Sequence, residues 1–389
     1  MLGIGGADEV PTHDIKLLIP DLPGAEELLP YLRRLDSNRW YTNFGPLVRE
    51  LEATLAAGWP VPLVPTPVEL DPLQVVTLNT GTAPLELGIA ALGLAPGGEV
   101  LLPAFNFPAS AAAILRNGLQ PVFADVAADS WQLTPSLARE AANLRRLVLV
   151  IPVATFGCPL DVQAWDAFVA DTGIPVLLDA AAAFGNQTIG RRASVAFSMH
   201  ATKPFGIGEG GLLVTRDAAM AARVRRMSNF GFERGRAMEV ATNAKLAEIA
   251  AAVALAQLSR WPAVWAARRD RWAVYRERLG AIPVALQAGF AADQIPATLV
   301  LNLHVSATPI ASQLKTSGIE TRRWYCPPLY RHPAFAQCAL FGAPTSRDTL
   351  SVTEQLANQT LGIPWHNFLT PHDMEVVTDT LVRALQHVQ

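Results

Sequence analysis

The sequence predicts an α/β protein, with a large domain built on a mainly parallel sheet covered by helices and a smaller C-terminal α+β domain. Three observations predict it. Before about residue 265, short apolar runs alternate with segments of helical period, as strands joined by helical crossovers do. Half of the 389 residues are hydrophobic and only 17% are charged, which suits a large packed core and argues against disorder. Beyond that point the repeat fades, placing the expected domains at 1–262, N-terminal segment included, and 263–389.

The elements follow in order. EELLPYLRRL (26–35) and GPLVRELEATLAAG (45–58) carry apolar residues at helical spacing. VVTLNTGTAPLELGIAAL (75–92) reads as strand, turn and helix, with Pro84 suited to a first helical turn because it has no donor to lose. GGEVLLPAFNF (97–107) returns as a strand, and PASAAAILRNG (108–118) is a helix stopped by Gly118. QPVFADV (120–126), RRLVLVIPVA (145–154) and IPVLLDA (174–180) are strands, with DVQAWDAFVADTG (161–173) the helix between the last two. SVAF (194–197) and LLVT (212–215) flank a glycine-rich turn. NAKLAEIAAAVALAQLSRW (243–261) is a long buried helix, and ARRDRWAVYRERLGAI (267–282) is another. A strand TLVLNLHV (298–305), an aromatic loop RRWYCPPLYRHPAF (322–335) and a closing helix TPHDMEVVTDTLVRALQHV (370–388) make the second domain.

Several function classes are disfavoured. A net charge of −3 and a pI near 6.2 give no general attraction for nucleic acid or anionic membrane. The basic clusters RVRR (223–226) and RRDR (268–271) are expected on solvated helix faces. Cys158, Cys326 and Cys338 are odd in number and widely spaced, match no metal-ligand pattern, and point to a reduced cytoplasmic protein without a metal. MLGIGGADEV lacks the basic start and apolar core of a signal peptide, and LVLVIPVATFG is too short and proline-broken to span a membrane.

The chemistry concentrates around Lys203, within SMHATKPFGIGEGG (198–211). A lysine on a tight glycine-rich turn between two strands has room beside it for a bulky group. Asp179 ends the apolar run IPVLLD, so a buried strand delivers a carboxylate. Those are the two polar groups that pyridoxal phosphate needs: an amine for the Schiff base and an acid that keeps the pyridine nitrogen protonated. Gly81 and Thr82, between a strand and a helix start, offer backbone amides and a hydroxyl for the phosphate, and Ser198 offers a second hydroxyl. Alone, such a Gly-Thr is more often a helix cap; with Lys203 and Asp179 the phosphate reading gains. GIGEGG (206–211) has the glycine spacing of a dinucleotide fingerprint, but a strand follows it where that fingerprint needs a helix.

With these residues in view, the chain resembles the sugar-nucleotide aminotransferases of the DegT/StrS group, which have fold type I of the pyridoxal-phosphate enzymes. NTGTAPLELGIAALGL, GGEVLLPAFNFPASAAAI, LLDAAAAFG, FSMHATKPFGIGEGG, MSNFGFERG, TNAKLAEI and CPPLYRHPAF carry the resemblance, in the family's order and over nearly the whole chain. It implies that Lys203 forms the Schiff base and moves the proton, and that Asp179 partners the pyridinium nitrogen. It implies that Phe107 stacks on the ring, and that Gly81, Thr82 and Ser198 hold the phosphate. Asn229 matches an asparagine supplied by the neighbouring subunit, so a homodimer with shared active sites is implied. Each has a duller rival: Phe107 as core packing, Asn229 as a turn residue, Asp179 as a helix cap.

The expected function is transfer of an amino group from L-glutamate to a nucleotide-linked 4-keto-6-deoxyhexose, a step of deoxy amino sugar biosynthesis. YTNFGP (41–46) looks more like carbon-4 than carbon-3 enzymes. Thr42, Asn43, Lys245, Arg322, Tyr325 and Tyr330 are the candidate substrate contacts, positive and aromatic groups being suited to a diphosphate and a base. The alternatives are a 3-keto sugar-nucleotide aminotransferase and a non-catalytic cofactor-binding regulator. Two positions mark this chain. Ala182 stands where many relatives carry histidine or glutamine, and Lys203 stands where the related sugar dehydratases have histidine, which favours transamination.

Overall fold

The structure, a computed structural model, describes residues 14–60, 71–342 and 349–387, so the N-terminal stretch read above for a signal peptide lies outside it. Among the described residues, the central sheet has eight strands, an edge strand from near the C-terminus and seven from the first part of the chain: β1 (Gln74–Leu78), β2 (Glu99–Pro103), β3 (Gln120–Ala124), β4 (Leu147–Val150), β5 (Leu177–Asp179), β6 (Ser194–Ser198) and β7 (Gly211–Thr215). One run is ordered β1-β7-β6-β5 and the other has β2 between β3 and β4. Parallel bridges Val150↔Val176 and Val153↔Asp179 join them through β4 and β5. Only β7 runs antiparallel to its neighbours, so the sheet is mainly parallel, as the alternation of strand and helix predicted.

Both faces of this sheet are covered, which explains the nearly continuous apolar strands. Within β2 the side chains alternate between two cores: Leu101 joins the one containing Val122, Val150 and Leu178, while Val100 and Leu102 join Phe123, Leu149 and Leu177. Eight helices accompany the strands: α1 (Ala25–Asn38), α2 (Pro46–Ala57), α3 (Ala83–Ala91), α4 (Pro108–Arg116), α5 (Pro135–Leu144), α6 (Val162–Thr172), α7 (Ala218–Met227) and α8 (Glu248–Leu279). The start of α2 is capped from a distance: the buried Glu248 carboxylate accepts the Leu47 and Val48 N–H groups at 2.8 and 2.9 Å.

The two helices expected at 243–261 and 267–282 are one, because α8 continues through Pro262. Proline removes a single helical donor. The buried face carries on past it, with Trp261 and Val264 in a large-domain core and Trp272, Tyr275 and Leu279 in the core of the smaller domain. The expected 262/263 boundary therefore falls inside a helix that serves both domains. Chain segments also cross over. Ile15 bridges Ile319 and sits in the smaller core, whereas Ala339–Phe341 adds a parallel edge strand to β3. Periodicity shows which face of a segment is apolar, but not which core that face will meet.

The basic clusters are not simply solvated faces. In RVRR, Arg223 and Arg226 donate to the two Glu239 oxygens at 3.0 and 2.9 Å, and Arg225 to the buried Glu52 at 2.5 Å. In RRDR, Arg268 shares the buried face of α8 with Val264 and Trp272, one helical turn either side. It is 8% exposed, stacks 5.0 Å from the Trp365 ring centroid and donates to the Pro296 and Ala297 carbonyls at 3.0 and 3.1 Å. Burial lowers its pKa to about 10.

His366 gives the fold a pH dependence. Its Nδ1 accepts the Phe368 N–H at 3.2 Å, so the ring proton sits on Nε2, which donates to the Lys16 carbonyl at 3.1 Å. Burial lowers its pKa, outweighing the Lys16 carbonyl. The unfolded chain, with an ordinary histidine near pH 6.5, then takes up this proton before the folded one. Stability is expected to fall as pH drops below about 6.5, levelling off under the folded pKa. Urea midpoints measured from pH 7.5 to 5 check this, and His366→Gln should flatten the slope.

Candidate active site

Four strands end together. β1, β2, β5 and β6 run in one direction, and at or just past their carboxyl ends come Gly81 and Thr82, Phe107, Asp179, and Ser198 with Lys203. Ligands of open α/β sheets bind in the crevice outside these ends. The turn carrying Lys203 connects antiparallel β6 and β7. It is closed by Met199 N–H to Gly210 C=O and Ala201 N–H to Gly208 C=O, both 2.8 Å, and by Lys203 N–H to His200 C=O at 2.8 Å. Gly208, at φ +103°, allows the reversal.

Asp179 is 5% exposed. Burial raises its proton affinity, opposed in turn by the Ser110 hydroxyl, the Ala181 N–H (3.2 Å to Oδ1) and the Lys203 ammonium. Residue 203 keeps part of its surface open, but its ammonium is crowded by protein, and this burial lowers its pKa against the pull of Asp179. An amine so placed is readily held neutral and nucleophilic. The helix-cap rival for Asp179 loses ground, since the residues that follow it form turns and not a helix.

The phosphate residues also converge. Gly81 lies so close to Ser198 that a Cβ at position 81 would overlap the serine side chain, and only glycine fits. Capping of α3 falls to Thr80, whose Oγ1 accepts the Ala83 N–H at 3.2 Å, while the Thr82 side chain makes no cap bond. Among the described residues, the N–H groups of Gly81 and Thr82 and the Thr82 hydroxyl have no partner. Ser198 accepts the His200 N–H at 3.2 Å and keeps its own proton to donate. Phe107 is 56% exposed, which removes the core-packing reading and leaves an open aromatic face. Ala182, half-buried after Asp179, offers only a methyl group.

The candidate substrate contacts divide. Lys245 donates to Asn229 Oδ1 at 2.6 Å, lies 4.9 Å from the Phe230 ring centroid and pairs through its backbone with Leu78, just before the phosphate turn. Its pKa is lowered by burial. With Oδ1 engaged this way, the Asn229 Nδ2 donors have no partner among the described residues. Tyr325 stacks on Phe156, 5.3 Å between centroids at 6°, and burial and then nearby Asp179 raise its pKa. Arg322 remains exposed above Trp324, 4.3 Å from the ring centroid, and Thr42 and Asn43 are exposed. Tyr330 is a correction. It is buried in a large-domain core, and its hydroxyl donates to Glu354 and accepts the Leu350 N–H at 3.3 Å, which engages it in the fold. Ser110 and Asn106 were not foreseen; in an alanine-rich helix start they look like any small polar residues.

This fold is that of the type I pyridoxal-phosphate transferases. The chain belongs to the DegT/DnrJ/EryC1/StrS aminotransferase family, whose model matches residues 24–382. It is 28% identical to dTDP-4-amino-4,6-dideoxy-D-glucose transaminase of Shigella dysenteriae, over 93% of this chain and 96% of that one. It is 31% identical to dTDP-3-amino-3,4,6-trideoxy-alpha-D-glucose transaminase of Streptomyces venezuelae, over 91% of this chain and 90% of that one. The solved structure of DesI in the presence of its TDP-sugar product is 29% identical, covering 97% of this chain and 95% of its own, with a TM-score of 0.83. The family implies pyridoxal phosphate, and the residues present fit it: a phosphate cradle with unpartnered donors, a buried carboxylate, a desolvated amine and an open aromatic face. No helix among the described residues is long and apolar enough to cross a membrane, and no group of histidine, cysteine or acidic side chains among them could hold a metal ion.

Proposed function

We propose that this protein moves an amino group from L-glutamate to a nucleotide-linked 4-keto-6-deoxyhexose. The convergence of Lys203 and Asp179 on the Gly81–Ser198 cradle carries the reading. When bound, pyridoxal phosphate supplies an electron sink for the carbon that loses or gains a proton. Lys203, its pKa lowered by burial, takes the proton from the donor carbon and delivers one to the sugar carbon. Asp179 holds a proton on the ring nitrogen, Phe107 covers the ring, and Gly81, Thr82 and Ser198 grip the phosphate. Thr42, Asn43, Lys245, Arg322 and Tyr325 are left to hold the nucleotide sugar.

A homodimer is part of the reading. Phe230, Phe232, Met238 and Val240 are exposed around the small hairpin of Phe232–Glu233 and Arg236–Ala237, and a second copy would cover them while lending Asn229. The three free cysteines suit a cytoplasmic setting.

Incubation with L-glutamate and dTDP-4-keto-6-deoxyglucose is expected to yield 2-oxoglutarate and a sugar aminated at carbon 4 by NMR. The similarity to a 3-amino transaminase keeps one alternative in view. Activity only on a 3-keto sugar would move the reaction to carbon 3. Absence of oxoglutarate with every keto sugar, together with a Lys203→Ala variant that complements a deletion strain, would replace the enzyme with a regulator.

A further inference from the structure

Asp179 stands at the end of a one-way chain of hydrogen bonds that the proposed reaction leaves unused. Phe107 N–H donates to Asn106 Oδ1 at 2.6 Å, which fixes the amide and aims Nδ2 at Ser110 Oγ, 3.1 Å away. A flipped amide would set N–H against N–H. Because Ser110 already accepts from Asn106, its single proton is directed to Asp179 Oδ2, where the structure places it. Asn106 is 2% exposed and Ser110 is fully buried, so neither has water as an alternative partner.

We propose that Ser110, oriented by Asn106, is the positioning residue that holds Asp179 ionised and aimed at the cofactor ring nitrogen. This rests on the reading of Asp179 as the partner of that nitrogen. A carboxylate buried among apolar strands tends to take up a proton, and such a proton would end its attraction for a pyridinium. Ser110 is the strongest influence opposing burial, ahead of the Ala181 N–H and of Lys203. The titratable groups facing Asp179 are Lys203, from the turn between β6 and β7, and Tyr325, from the aromatic loop; Tyr325 stays neutral across the acid range. The chain also ties the backbone of Phe107 to Asp179, so the residue that would cover the ring and the residue that would partner its nitrogen are held in register.

The direct test is carboxyl 13C NMR titration of the apo protein labelled at aspartate, with the Asp179 signal assigned by its loss in Asp179→Asn. Ser110→Ala is expected to raise the Asp179 titration midpoint by about one to two pH units, the usual worth of a hydrogen bond to a charged group. Ser110→Thr should restore it, and Asn106→Ala should shift it partway. Should Ser110→Ala fail to fold, Ser110→Cys, nearly isosteric with a weaker donor, is read in its place. The acid limb of pyridoxal phosphate affinity, followed by fluorescence, should move with the NMR midpoint. An unchanged midpoint in a folded Ser110→Ala or Ser110→Cys variant overturns the proposal. If even the wild type fails to bind pyridoxal phosphate, the functional reading fails instead, while the NMR titration still decides the role of Ser110.

Discussion

Lys203→Ala is expected to lower the rate of 2-oxoglutarate release from L-glutamate by at least about 10³-fold, since one side chain serves as both nucleophile and proton carrier. Alanine has neither a nucleophile nor a proton to offer. The fold should survive, because the Lys203 side chain makes no hydrogen bond among the described residues and its turn is closed by backbone bonds at Met199, Ala201 and the residue's own N–H. Removing an ammonium that burial disfavours should leave the urea midpoint unchanged or raise it. Borohydride reduction and peptide mass mapping supply an independent readout. The wild type should carry cofactor mass at Lys203, and the variant should carry none. An adduct mapped to Lys245 would transfer the nucleophile to the other buried lysine, and a variant of undiminished rate would end the proposed mechanism.

Sequence and structure agree where local pattern carries the information. The alternation of strand and helix placed β1 to β7 and the turn that carries Lys203, because each strand is a short apolar run bounded by punctuation. Motif residues far apart in the chain, Gly81 and Ser198 above all, meet because parallel strands deliver their ends to one edge. What the pattern could not show depends on which surfaces meet. RRDR looks solvent-facing as a string of charges, yet Arg268 sits on the same stripe as Val264 and Trp272. Tyr330 lies in an aromatic loop that resembles a binding loop, and only its burial with Glu354 and Leu350 shows it to be structural. Pro262 reads as a break, and the apolar face of α8 overrides it. Ser110 and Asn106 acquire meaning only through Asp179, which approaches from a different strand.

Asp179→Asn is the second substitution with a large expected effect, and its signature is a split between activity and stability. Asparagine keeps the shape of the side chain, but its single oxygen can accept from only one of the two donors that Asp179 engages, Ser110 on Oδ2 or the Ala181 N–H on Oδ1. It cannot carry the negative charge that holds a proton on the ring nitrogen, so kcat should fall by about 10²–10³-fold, the scale of losing one preorganised electrostatic partner. Stability should move the other way. Burial raises the folded pKa of Asp179 above its unfolded value near 3.9, so an ionised Asp179 opposes folding at neutral pH. That penalty grows as pH rises from the unfolded value to the folded one and is absent below both. The variant should therefore gain stability relative to wild type as pH rises from about 3.5 to 7, as urea midpoints would record. A variant that lost activity and stability together would make Asp179 a structural residue. A gain in stability with a loss of rate is what a charge kept at a cost for catalysis produces.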